Sequence, residues 1–278
     1  MRIYHYTSLE ALALILKNRT IRFNRLDKVD DLEEGNLETG GVKFGKYVFV
    51  SCWTEESKEN VPLWKMYGGD YGAVRISLHK EMFKEYIISA NNIKFTGLHL
   101  SGAHKTFFPP KIFINPYLTP FPFYINYNND VFYKKIVYVD NVISTIQEVH
   151  KKNKQKRLEK NQILSDIDPS LYASYKNKRW EFQNESRFII HFRLNKKIEG
   201  ENNPYLTFPS DEKIRNQEDL GFDFYDMHLK DEAFDTLEIT LSPSVTTGQE
   251  VIVESLRKQY APKAKISQSS LANLVQLK

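Results

Sequence analysis

The chain has one cysteine, Cys52, among 278 residues, which leaves no partner for an intramolecular disulfide and excludes a multi-thiolate zinc site. No run approaches the roughly 20 consecutive apolar residues of a membrane helix. The opening MRIYHYTSLEAL has neither the apolar stretch nor the small-residue cleavage site of a secretion signal. The expectation is therefore a soluble cytoplasmic protein with no membrane partner. There is no G-x-S-x-G elbow, no P-loop and no G-x-G-x-x-G fingerprint. Charge of one sign is also lacking. Lys and Arg number 39 against 35 Asp and Glu, a formal net charge of +4, short of the basic balance of a dedicated nucleic-acid domain. What is present argues for a packed core: 41% apolar and 13% aromatic residues exclude a disordered chain. No repeat and no Gly- or Ser-rich linker divides the sequence, so a single domain over residues 1–278 is expected.

Hydrophobic periodicity places a short strand at 2–6, followed by a helix in which Leu9, Leu12, Ile15 and Leu16 share a stripe. Thr7 with Glu10 has the spacing of a capping box. Strands are predicted at 20–24, at 46–53, where KYVFVSCW is apolar enough to be central, and at 73–78, with a short helix at 62–67 between the last two. Residues 91–133 carry prolines at 109, 110, 116, 120 and 122, a density that excludes a helix or central strand. They read as an irregular insertion whose aromatics pack on the body. Strands at 133–140, 187–194, 237–241 and 265–267 and helices at 141–164 and 249–260 complete a mixture without βαβ rhythm, an α+β class.

Four groups of residues could carry chemistry. In RWEFQNESRFIIHF, Gln183, Glu185 and Arg187 alternate, which would put them on one face if the strand begins early. A carboxylate there can hold a pair of sugar hydroxyls or steady a developing cation; read without further context, it is a solvated edge strand with an ion pair worth about 0–1 kcal/mol. His5, Tyr6 and Thr7 stand where a strand hands over to a helix, a common place for ligand contacts. Trp64 and Tyr67 share a helical face, as core or as a stacking platform, with Ser51 at the mouth of the same cleft. The acidic loop with Asp27, Asp30, Asp31, Glu33 and Glu34 can hold a divalent ion, but reads better as a solvated turn or helix start, so no metal is expected. The basic helix around Lys151–Arg157 reads as a solvated face, and Cys52 as a small buried residue.

In order, YHYTS, ALALILKN with TIRF, DDLEEG, VFVSCWTE, LWKMYG with GAVRISL, KNKRWEFQNESRFI and the tail 241–271 resemble the bacterial family catalogued as domain of unknown function 2971. That family is in turn similar to the ADP-ribosyltransferase superfamily. The resemblance implies split sheets around a cleft and an enzyme that breaks NAD and passes ADP-ribose to a protein, a nucleic acid or water. It implies His5, with Tyr6 and Thr7 beside it, on the first strand at NAD. It puts Ser51 with Tyr67 or Trp64 at the nicotinamide and Glu185 at the nicotinamide ribose, with Arg187 keeping that carboxyl ionised. Gln183, where the family commonly has Glu, would be the substrate-facing catalytic member of the Gln-x-Glu pair. Leu32 stands where the family's acidic loop usually has proline.

Three readings follow. The first is an NAD-dependent ADP-ribosyltransferase or NAD glycohydrolase, a toxin or phage-defence effector with an unknown macromolecular acceptor and a possible antitoxin. The second is a metal-dependent nuclease using Asp30, Asp31 and Glu34 with Glu185. The third is a non-catalytic module that grips a protein or nucleic acid with the aromatic insertion and basic helix.

Overall fold

The β-branched and aromatic run Arg2–Ser8 forms a strand (β1) and Leu9–Asn18 the first helix (α1). Because the strand continues through Thr7, the predicted cap moves by one residue: the Ser8 hydroxyl accepts from the Ala11 amide at 3.2 Å. The computed structural model describes residues 1–39, 41–68, 72–89, 102–115, 117–121, 132–159, 169–197 and 207–277. Residues 91–101, 116 and 122–131 of the predicted insertion lie outside the described residues, as do 160–164 of the predicted basic helix.

The further elements that build the site are β2 (Thr20–Arg25), α2 (Leu32–Gly35), β3 (Val48–Thr54), α3 (Val61–Gly68), β4 (Ala73–His79) and β5 (Tyr133–Lys135). After helix α4 (Val142–Glu159) come β6 (Tyr175–Asn177), β7 (Glu185–Lys197), β8 (Phe224–His228), β9 (Glu238–Leu241), α5 (Thr247–Tyr260) and β10 (Lys265–Ser267). The class is α+β with several sheets. The largest runs β5-β7-β3-β1-β4-β9-β10, antiparallel except for β9 with β10; β2 pairs with both β3 and β8.

Its middle is not continuous. β1 is registered along β4 from Arg2↔His79 to Ser8↔Ala73, and β7 along β3 from Glu185↔Thr54 to His191↔Val48. Between β1 and β3 the only registered pair is Tyr4↔Thr54, because β2 takes the other end of β3 through Asn24↔Val50 and Arg25↔Phe49. β1 and β3 are thus joined at Tyr4↔Thr54 and part beyond it.

β3 is buried on both faces, which is why its sequence is nearly all apolar. Phe49 and Trp53 join one core cluster with Phe188, Ile190 and the α1 stripe; Val48 and Val50 join a second with Ile189 and Tyr172. Ala103–Thr106 of the insertion pairs antiparallel with Tyr86–Ser89, which precedes it, and a short strand of the insertion, Leu118–Phe121, pairs along the far half of β7. Phe108, Phe113 and Phe132 from this region enter the main core, as expected of its aromatics.

Candidate functional site

A cavity of about 490 Å³ opens where β1 and β3 part. Its wall contains His5, Ser51, Cys52, Tyr67, Gln183 and Glu185. Such a size suits a small organic ligand.

Glu185 begins β7, where strand pairing sets Thr54 opposite it and Cys52 opposite Arg187. Alternation puts Glu185 and Arg187 on one face of the strand, as the sequence suggested. Gln183 reaches them differently. The strand does not begin early: Lys178–Gln183 winds as a 3₁₀ turn and Asn184 takes the left-handed conformation (φ 42°), which Asn tolerates better than most side chains. Gln183 and Glu185 meet through Lys176, whose Nζ donates to Gln183 Oε1 at 2.7 Å and to Glu185 Oε2 at 3.1 Å.

Behind Glu185 lies Arg187, 1% exposed. Its Nε donates to Glu185 Oε1 and its Nη2 to Glu185 Oε2 at 3.1 Å. The same guanidinium donates from Nη1 to Glu34 Oε1 and from Nη2 to Glu34 Oε2 at 2.9 Å. Two cations and two carboxylates therefore balance in a buried cluster, the arrangement that makes buried charge tolerable. Burial alone would push the Glu185 carboxyl up; the charges of Arg187 and Lys176 outweigh it and hold it at about 2. Burial raises Glu34 despite Arg187. The Cys52 thiol, pushed up by burial, also hydrogen-bonds Glu185, and the Glu185 amide donates to Tyr138 Oη at 2.8 Å.

On the opposite wall, His5 is half-buried with Nδ1 at 2.7 Å from the Cys52 carbonyl oxygen. That oxygen can only accept, so Nδ1 carries the proton and Nε2 is the acceptor of the neutral ring. Burial lowers the His5 pKa, which keeps the ring neutral near pH 7. Tyr67 presents a phenol that burial keeps protonated. Thr7 and Tyr6 also line the cavity; Tyr6 Oη accepts from the Asn60 amide at 2.9 Å. The Ser51 hydroxyl accepts from Trp53 Nε1 at 3.0 Å.

Trp64 and Arg187 do not line the cavity. Trp64 is fully buried beneath α3, edge-on to Tyr6 at 4.9 Å, with Nε1 donating to Glu59 Oε2 at 2.9 Å. It is a core residue, so of the two aromatics offered for stacking only Tyr67 faces the space.

The acidic loop does not converge on the cavity as a ligand set. Asp31 caps α2 by accepting from the Glu33 and Glu34 amides, and Glu34 turns inward to Arg187. Among the described residues no group of three or more His, Cys, Asp or Glu side chains is placed to hold a metal ion. No described helix is long and apolar enough to cross a membrane.

Sequence reasoning missed Lys176, and it joined Glu34 to Glu185 only as a possible metal ligand, not through Arg187. The signal for both was weak: a lysine and an acidic loop, each inside a block of the family resemblance. Residues 63–188 match the family model described as "Protein of unknown function (DUF2971)". No curated protein and no solved structure matches the chain.

Proposed function

We propose, starting from the match of residues 63–188 to the DUF2971 family model, that the chain binds NAD in the cavity between β1 and β3 and cleaves the bond between nicotinamide and ribose. The observation that carries this reading is Glu185: a buried carboxylate in the cavity wall, held ionised by Lys176 and Arg187. Cleavage leaves the bonding electron pair on nicotinamide, which departs neutral, and a positive oxocarbenium centre on the ribose. An anchored negative charge next to that ring stabilises the developing cation without reorganising. The acceptor, water or a nucleophile on a protein or nucleic acid, then adds to the anomeric carbon and releases a proton to solvent.

The remaining wall suits the same substrate. Tyr67 offers a ring and a neutral hydroxyl to the nicotinamide amide, and His5 Nε2 accepts from a ribose hydroxyl. Glu185 already accepts from Lys176, from Arg187 twice and from the Cys52 thiol. The thiol is the weakest of these donors, so a ribose hydroxyl takes its place. The resemblance to ADP-ribosyltransferases agrees with this placement and suggests a toxin or phage-defence role.

The test is nicotinamide release from NAD, read by chromatography, for wild type and Glu185→Gln. Release by the wild type and a fall of at least about 100-fold in the variant are expected. A ligand at 100 times its Kd also adds about 2.7 kcal/mol of stability, so NAD raises the wild-type Tm. Equal release from both proteins, or no release together with no change in Tm, overturns the reading.

A further inference from the structure

We infer that Lys176 is the positioning residue of this site: its ammonium fixes the Lys178–Gln183 turn against Glu185, so that the ribose-binding carboxylate and the substrate-facing Gln183 are set by one group. The inference rests on the NAD reading for its catalytic consequence, not for its geometry.

Lys176 lies in β6, which is held in place by parallel pairing with Val137–Val139 (Val137↔Tyr175, Tyr138↔Lys176). It precedes the turn, and its side chain reaches past the whole of it. The Nζ sits 4.8 Å from the centre of the Trp180 ring in the middle of the turn and bonds Gln183 and Glu185 at its end. The three Nζ–H donors thus meet two acceptors and an aromatic face. The backbone between Gln183 and Glu185 passes through the left-handed residue Asn184, whose amide is tied to Glu181 O at 3.0 Å. A strained link of this kind persists only when its surroundings over-determine it, and Lys176 supplies the side-chain clamp on both sides of it. The buried amide of Gln183 has little other hold among the described residues: its Nε2 finds the Met66 sulfur, at 4.0 Å.

Arg187 cannot take over this task. It approaches Glu185 from behind and is divided among Glu185, Glu34 and the Ala173 carbonyl, with no hydrogen bond to the turn among the described residues. The other ionisable groups that interact with Glu185 are the Glu34 carboxylate, the Cys52 thiol and the Tyr67 and Tyr138 phenols, none of them a cation.

The experiment compares full-length wild type, Lys176→Met and Lys176→Arg. Carboxyl carbon NMR of labelled glutamate follows Glu185, assigned with Glu185→Gln. The Glu185 midpoint should rise by at least about one unit in Lys176→Met and stay near the wild-type value in Lys176→Arg. A role confined to packing would not move it. Wild type gives a second reading that needs no variant: lysine nitrogen spectra at pH 7 should show an ammonium with slowly exchanging protons, absent from Lys176→Arg. With NAD, Lys176→Met should lower kcat about 100-fold with a smaller change in KM, since misplacing a catalytic group by about 1 Å has that effect. Lys176→Arg should restore most of it.

An unmoved Glu185 midpoint in Lys176→Met overturns the inference, and so does a fast-exchanging Lys176 ammonium in the wild type if the variant fails to fold. If both NMR readings hold but wild type neither splits nor binds NAD, the NAD reading falls and the positioning of Glu185 by Lys176 stands.

Discussion

Arg187 and Glu34, 153 positions apart in the chain, are joined side chain to side chain with neither reached by solvent. This bond ties the loop that starts α2 to β7 and leaves the same guanidinium bonded to Glu185. The acidic loop is therefore a structural support for the candidate catalytic carboxylate. Removing the shared cation would strand two buried carboxylates with Lys176 alone.

Arg187→Met should accordingly lose about 3–5 kcal/mol of stability, the usual cost of breaking a buried ion pair from one side. Arg187→Lys should recover only part of it, because a single ammonium cannot reproduce four donor contacts to two carboxylates. Urea denaturation measures both. A loss under about 1 kcal/mol in Arg187→Met would mean that the cluster does not hold the loop to the strand.

The two carboxylates give opposite pH signatures. Glu185 has a folded pKa of about 2 against an ordinary value of 4.5. Its stabilisation is complete above about pH 4.5 and is lost as pH falls toward 2, on the order of 3 kcal/mol for the full shift. Glu34 is raised, so its contribution is present below about pH 4.5 and is lost as pH rises through its folded value. Unfolding free energy measured against pH should therefore rise steeply from pH 2 to 4.5 in wild type and less steeply in Glu185→Gln. Above pH 4.5, Glu34→Gln should remove a downward slope. Parallel curves for wild type and Glu185→Gln below pH 4.5 would contradict the ionised state assigned to Glu185.

Much of this was legible in advance, and the failures have physical causes. Glu185 and Arg187 sit in one strand, where a period of two is enough to place them on one face. The apolar KYVFVS run was readable because burial on both faces leaves no polar alternation. Lys176 was not readable. Its contacts depend on a 3₁₀ turn and one left-handed residue, which reverse the chain in a way that no hydrophobic period records. Nor was the partition of Trp64 from Tyr67. Spacing of three puts two residues on one helical face, but α3 is only eight residues long and lies across the cavity's edge, so Tyr67 reaches the space while Trp64 points into the core. The cap at Ser8 in place of Thr7 reflects β1 staying paired with β4 to its last residue.

That partition separates two variants of neighbouring aromatics. Tyr67→Ala should weaken NAD binding about tenfold or more by removing one aromatic ring of the cavity wall, since stacking on an aromatic contributes about 1–3 kcal/mol. Trp64→Phe should leave NAD binding unchanged while lowering stability by about 1–3 kcal/mol, because Glu59 loses a buried donor. Calorimetric titration with NAD and urea denaturation, run on both proteins, separate the effects. Equal losses of affinity would show that Trp64, not Tyr67 alone, shapes the ligand space.

Glu59 extends the argument to the far end of the chain. Its Oε2 accepts from Trp64 Nε1 and from the Ser269 hydroxyl, and its Oε1 from the Ser270 amide at 2.6 Å. Leu271 and Leu277 pack on the cluster of Tyr6, Leu63, Trp64 and Ala73, and the Leu277 amide donates to Ser244 Oγ at 2.9 Å. The C-terminal segment is thereby strapped against α3, and Leu63 and Tyr6 of that cluster also line the cavity. Burial would raise the Glu59 carboxyl, but the bonds from Ser269, Ser270 and Trp64 together bring it below the usual range. Glu59→Ala removes both acceptor oxygens, and with them three hydrogen bonds, and leaves the Trp64 indole N–H unpartnered in the core. A loss of about 1–3 kcal/mol is expected in urea, together with faster amide exchange at 269–277. Leu271→Ala should loosen the same segment without touching Glu59. Unchanged exchange in the tail of Glu59→Ala would mean that leucine packing alone holds the strap, and Leu271→Ala would then show the larger loss.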